Sequence, residues 1–157
     1  MFTQTLRVNH TTYDVQRSLD SINPRSHSDV MVLSYDEDSE HPFDYARIIG
    51  LFHLDVSYSG PGSTTRSYKK IEVAWVRWFQ YDSSYLSGFC YKRLPRLQFV
   101  DCSESSAFGF LDPDLIICAS HLIPAFIHGR TDELLPHSIA HRPKDGDEDY
   151  LYHYANM

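Results

Sequence analysis

The chain has 157 residues, of which 42% are apolar, 14% aromatic and 22% charged, and its formal charge is −7 at neutral pH. That length fits one domain with a core of its own, and the charged fraction is too low for a disordered chain. The acidic balance opposes indiscriminate binding to a phosphate backbone, which needs clustered Lys and Arg, and it suits a basic partner as well as solubility.

Eleven Tyr and nine Phe, together with Val and Ile runs, favour strands over helices. Cys90, Cys102 and Cys118 are odd in number and form no C-x-x-C pair. They imply small apolar side chains in a reducing compartment rather than a disulfide framework. The opening "MFTQTLRVNHTTYDVQ" is polar and has no secretory h-region, and no apolar run reaches the length of a membrane span. A soluble intracellular protein is expected.

In chain order, residues 1–12 read as a loosely held polar tail and residues 13–157 as a single β-rich domain. Tyr13 to Ile22 alternates as a strand, "NPRSHS" is a turn, and Asp29 to Tyr35 is a short apolar strand before the acidic loop "DEDSEHP". The long stretch "HPFDYARIIGLFHLDVSYSGPGS" places Ala46, Ile48, Gly50, Phe52, Leu54 and Val56 on one face, which reads as the core face. Gly50 in mid-strand marks a bulge or bend.

"IEVAWVRWFQYD" follows, with Ile71, Val73, Trp75, Arg77 and Phe79 on one face and Glu72, Ala74, Val76 and Trp78 on the other. The two strands form the simplest antiparallel hairpin, with "SGPGSTTRS" as its loop. Leu97 to Asp101 is a further strand, and "SESSAFGF" reads as a turn. Asp112 and Pro113 open a short helix as N-cap and first helical residue. His121 to Phe126 is an edge strand interrupted by Pro124. "TDELLPHSIAH" looks helical with Thr131 as N-cap, and "YLYHYANM" supplies a last strand. A mainly β fold is expected: one small twisted sheet or partly open barrel of about six to eight strands, with one or two short helices.

No strong catalytic motif is present. His137 and His141 are spaced i, i+4 in "HSIAH", with His121 and His128 nearby, but the Glu that a zincin base requires is missing. A small metal-assisted hydrolase built on these four histidines is the rival reading. There is no G-x-S-x-G elbow, and "SGPGSTTRS" lacks the Lys of a phosphate loop. Cys90 with His121 offers a thiol and a base only as any such chain would. "DEDSEH" and "DGDED" lack the spacing of a known cation loop, and solvated acidic loops are the plainer account.

The aromatic hairpin is the remaining candidate. Tyr45, Trp75, Trp78 and Tyr81, with Asp82 or Glu72 supplying charge, have the composition of a box for a cation such as methylated lysine. Aromatics at strand spacing also pack as core, and Trp75 and Trp78 fall on opposite faces, so they do not share one pocket.

Two resemblances follow from these residues. "YARIIGLFH" followed by "VAWVRWFQ", with "LPRLQFVD…FLDPDLIICASHLIP" later, resembles the BAH domain over roughly Tyr13 to Phe126. Gln80 and Tyr81 depart from that pattern. "HPFDYARIIGLFHLDVSYSGPGS", "WVRWFQ", "FGFLDP", "HLIPAFIHGRT" and "DEDYLYHYANM" resemble a C-terminal region of fungal Plavaka-type transposon proteins, from about Tyr13 to Met157. The first implies a BAH-like, non-enzymatic interaction module that acts in chromatin in the nucleus. The second implies a transposon-derived fragment with no catalytic residue or cofactor of its own. Its partner would be a histone tail or other basic peptide, or the upstream transposase region, with no direct nucleic-acid or membrane binding. A purely structural C-terminal module is a third reading.

Overall fold

A computed structural model describes residues 2–3, 5–11, 17–35, 39, 41–62, 67–88 and 91–156. Two strands dominate it, β5 (Phe43–Val56) and β6 (Lys69–Tyr81), paired along nearly their whole length. They are the hairpin read from the sequence. Around them lie β1 (Phe2–Thr3), β4 (Asp29–Leu33), β7 (Arg96–Phe99), β8 (Phe108–Leu111), β9 (Ile116–Ala119), β10 (His121–Pro124) and β13 (His153–Asn156). The sheet runs in the order β10-β13-β7-β6-β5-β4-β9, with β1 also beside β5 and β8 also beside β6. All its pairings are antiparallel.

The two ends of that order, β9 and β10, are consecutive in the chain and separated only by Ser120, whose amide donates to the Asp29 carbonyl. The sheet therefore curls until its ends share one residue. β9 and β10 do not pair with each other, so the result is a mainly β, open barrel. Two small ribbons complete it: β2 (Leu6–Thr11) with β3 (Arg17–Ile22), and β11 (Arg130–Thr131) with β12 (Asp149–Tyr150). No helix among the described residues is long and apolar enough to cross a membrane.

The curl produces two cores. Ile22, Val30, Val32, Ala46, Ile48, Leu51, Ala74, Val76, Leu111 and Ile116 form the first, with Trp78 packed against it. Tyr45, Phe79, Leu97, Phe99, Leu122 and Ala155 form the second, on the other face of the hairpin. Tyr45, Ala46, Arg47 and Ile48 are consecutive and all buried, so this half of β5 is covered on both faces.

The other half is not. Between Ile48 and Gly50 the register slips, with Ile48 opposite Val76 and Gly50 opposite Trp75. Ile49 is the extra residue of a bulge, as Gly50 suggested. The slip reverses side-chain parity, and this corrects the expected core face. Leu51 is buried in place of Phe52, while Leu54 and Val56 are exposed.

Other expectations divide. Asp112 accepts from the Asp114 amide and caps a 3-10 turn at Pro113–Leu115, as its pairing with Pro113 implied. β10 is an edge strand, as Pro124 required. "TDELLPHSIAH" is not helical. After β11 it runs through bends and turns, with Thr131 Oγ1 accepting from the Glu133 amide in a local turn. "SESSAFGF" holds a strand as well as a turn, since Phe108–Leu111 pairs with β6. Residues 2–3 and 6–11, expected in a loose tail, are strands. Leu6 and Val8 alternate with Arg7 and pack on the first core. Of the strand expected from Tyr13 to Ile22, Arg17–Ile22 is β3, and residues 13–16 lie outside the described residues.

Trp78 lies across Gly109, where an added Cβ would stand 2.9 Å from the indole Nε1. Gly109→Ala should therefore destabilise the domain by about 1–3 kcal/mol, read from urea unfolding. Combining it with Trp78→Phe should recover part of that loss relative to Trp78→Phe alone. Equal costs in both backgrounds would show that the indole does not set the requirement for glycine.

Candidate functional site

Arg47 and Arg77 stand directly opposite each other in the β5–β6 ladder, and both are buried. Like charges in that position repel, so each guanidinium needs a carboxylate. Asp29 on β4 binds Arg47 through two bonds, Nε to Oδ1 at 2.6 Å and Nη2 to Oδ2 at 3.0 Å. Asp149 on β12 accepts from Arg77 Nη1 at 2.7 Å. Asp145 lies 3.8 Å from Arg47 Nη1 and accepts from Arg142 Nε at 2.5 Å. The Phe99 ring takes the guanidinium carbons of Arg77 and Arg47 at 3.9 and 4.9 Å. Cation–π contact adds to the ion pairs in this dry setting.

Three carboxylates thus meet three guanidiniums in the second core. Burial alone would raise the Asp29 carboxyl. The Arg47 guanidinium overrides it and holds the group below its usual value. Burial lowers Arg77, with Asp149 opposing it.

Two histidines border the network. His141 Nε2 lies 3.1 Å from the Leu135 carbonyl, and its Nδ1 lies 3.6 Å from Asp149 Oδ1. His153 sits edge-on to Phe79 and Phe99. Burial, reinforced by the Arg47 charge, pushes its pKa down to about 3, so it is neutral. Arg77 Nε and the Nδ1 atoms of both histidines make no hydrogen bond among the described residues. The sequence carried no signal for this network, whose members span Asp29 to His153.

A cation–aromatic box does exist, but it is filled from within. The Arg96 guanidinium carbon lies 4.2 Å from the Tyr85 ring and 4.4 Å from the Tyr152 ring. Asp82 closes the box at 2.6 Å from Arg96 Nη2 and also accepts from Ser84. His128 stands edge-on to Tyr152, with its Nε2 3.5 Å from Arg96 Nη1. Of the residues expected to form a box, only Asp82 belongs here. Tyr85, Tyr152 and Arg96 come from a bend, a loop and β7, so strand spacing could not group them.

The other expected residues are spread over the hairpin. Tyr45 is buried in the second core, at 6.2 Å and edge-on to Tyr81. The Tyr81 hydroxyl donates to the Phe43 carbonyl at 2.7 Å, the ring stacks on His41, and burial pushes the phenol up. Trp78 packs on the first core, on the face opposite Trp75. Glu72 is exposed, 3.2 Å from His53 Nδ1, on the rim of a cavity of about 320 Å³ that Leu6, Arg7, Leu51 and Pro113 also line.

The four histidines of the rival reading are not gathered. His121 starts β10, His128 stands by Arg96, His137 pairs with Asp147 at the surface and His141 is buried beside Asp149. Among the described residues no group of three or more His, Cys, Asp or Glu is placed to hold a metal ion. Cys102 and Cys118 are free thiols. Cys90 and most of "DEDSEH" lie outside the described residues.

Trp75 opens a different surface. Beyond the bulge its face of the sheet carries Leu54 opposite Ile71, Phe52 opposite Val73, and Phe110 opposite Trp75. Phe108 lies beside Trp75 with ring centroids 6.3 Å apart. Leu54, Ile71 and Phe110 are exposed, Phe110 at 77%, and Phe52, Val73, Trp75 and Phe108 are half-buried. These side chains make one contiguous apolar stretch of the sheet surface.

Breaking the Asp29–Arg47 pair from one side should be costly. Asp29→Leu alone should lose about 3–5 kcal/mol, because it strips the buried Arg47 guanidinium of its two-bond partner and leaves only the more distant Asp145, whereas adding Arg47→Met should lose much less. Urea unfolding of both variants checks this.

Acid should act mainly through His153. Its folded pKa of about 3 lies below the unfolded value near 6.5, so the unfolded chain binds more protons between those limits. Its contribution is fully present above about pH 6.5 and falls on acidification towards pH 3. The slope should approach about 1.4 kcal/mol per pH unit and flatten in His153→Phe, measured by unfolding at several pH values.

Comparison of the chain with protein-family models, with curated proteins and with solved structures gives no match.

Proposed function

We propose that this chain is a non-catalytic interaction module that docks a basic peptide segment of another protein across the Trp75–Phe110 face. The observation that supports this reading most is the apolar and aromatic stripe of exposed Leu54, Ile71 and Phe110 around half-buried Trp75, on the half of the hairpin that the second core leaves uncovered. The stripe lies on a chain of net charge −7. That net negative charge, though Lys69 and Lys70 adjoin Ile71 at the start of β6, favours a partner rich in Lys and Arg, because opposite charge steers encounter while the aromatic residues carry the affinity.

The resemblances of "YARIIGLFH", "VAWVRWFQ" and "FGFLDP" to BAH domains and to fungal transposon-derived proteins support a chromatin setting in the nucleus. They make a histone tail the first candidate partner.

A binding screen of the purified chain against modified and unmodified histone-tail peptides, at low and moderate salt, tests the proposal. Saturable binding to one peptide should weaken at least about tenfold in Trp75→Ala and in Phe110→Ala, with circular dichroism showing both variants folded. Uniform weak binding that vanishes with salt would overturn the reading, since charge alone would then account for it.

A further inference from the structure

β8 is an edge of the sheet, because it pairs with β6 on one side and with no other strand among the described residues. The Trp78 amide donates to the Ala107 carbonyl at 2.9 Å, which sets the phase of the ladder. In an antiparallel pair, opposed residues alternate between exchanging both hydrogen bonds and exchanging none. Ala107, Gly109 and Leu111 therefore turn their backbone groups towards β6. The amides and carbonyls of Phe108 and Phe110 point away from the sheet, while their side chains lie on the Trp75 face.

Protein edges are ordinarily blunted by Lys, Pro or a bulge. β10 carries Pro124, but the "FGFL" of β8 has none of these. What surrounds it is negative charge. Asp101, Glu104, Asp112 and Asp114 bracket the strand, and no Lys or Arg occurs between Asp101 and Leu115. Glu104, Asp112 and Asp114 are exposed.

We infer that β8 accepts an extended segment of a partner protein as an added strand. The added backbone bonds to Phe108 and Phe110, alternate apolar side chains lie along Phe110 and Trp75, and Lys or Arg at both ends face the bracketing carboxylates. Main-chain bonds supply affinity in such strand addition, and alternate side chains supply specificity. The inference rests on the interaction reading above and gives the partner a conformation and a charge pattern.

The test uses the isotope-labelled full chain and a panel of nonapeptides. Each has Lys-Arg at both ends, Thr at the fourth and sixth positions, and Val, Ile, Leu, Phe or Tyr at the third, fifth and seventh. At least one should bind and slow amide hydrogen exchange at Phe108 and Phe110 by about tenfold or more. A central Pro in that peptide, Glu in place of its terminal basic residues, or Phe110→Lys in the protein should each abolish the protection. Failure of the whole panel to protect these amides, or equal binding of the Pro peptide, would overturn strand addition. If Trp75-dependent binding of a histone-tail peptide persists in either case, the interaction reading survives without it. If that binding is absent too, both fall.

Discussion

Two arginines facing each other across the central ladder set the terms for the rest of the fold. Arg47 and Arg77 are held in the second core, where repulsion between them is least screened. Their carboxylates come from far along the chain, Asp29 from β4 and Asp149 and Asp145 from the C-terminal ribbon and its loop. The curl of the sheet brings these segments to the same place. Phe99 on β7 contributes its ring face to both guanidiniums and so ties a third region to the pair. A network of this kind is neutral only when complete, and its loss on one side costs far more than its replacement by apolar groups. That asymmetry favours one packing of the second core over alternatives of similar hydrophobicity.

The bulge at Ile49 divides the hairpin by purpose. Before it, both faces of β5 are covered and the buried arginines are paired with carboxylates. After it, parity reverses, and one face of β5, β6 and β8 meets solvent with aromatic side chains. One extra residue thus separates a part of the sheet packed on both faces from a part with one face open to solvent. The exposed half keeps its shape because it continues the same ladder as the buried half, so a partner would meet a surface already organised.

Much of the fold was legible in the sequence because it is written in period two. The hairpin, its irregularity at Gly50, β4, the edge position of β10 and the Asp112–Pro113 cap all follow from local rules about alternation, glycine and proline. The burial expected for Phe52, Leu54 and Val56 is not what the fold shows, because a bulge announces itself without saying on which side it resets the face. β8 was hidden because it is only four residues long, is interrupted by Gly109 and directly follows the turn-rich "SESSA". The aromatic box was legible as a composition and not as an assembly. Asp82 was identified, whereas Tyr85, Tyr152 and Arg96 meet only through tertiary folding. The buried charge network gave no local sign, since Arg77 and Asp149 are 72 residues apart.

The placement of β13 has a consequence for how the chain acquires its structure. His153–Asn156 is laid between β7 and β10, strands that precede it by a long stretch of chain. A polypeptide that has left the ribosome only as far as Arg142 can form the hairpin and the first core. The second core would still lack Ala155, and Arg77 would lack Asp149. Until that insertion, Leu97 and Leu122 face a vacant slot bounded by the open edge of β7, which keeps its pairing with β6, and by β10, which has no other partner strand among the described residues, a template for mispairing with other chains. The joining of β7 to β10 through β13 is therefore a long-range event that follows the hairpin in biogenesis, the step at which a folding factor would have most to protect.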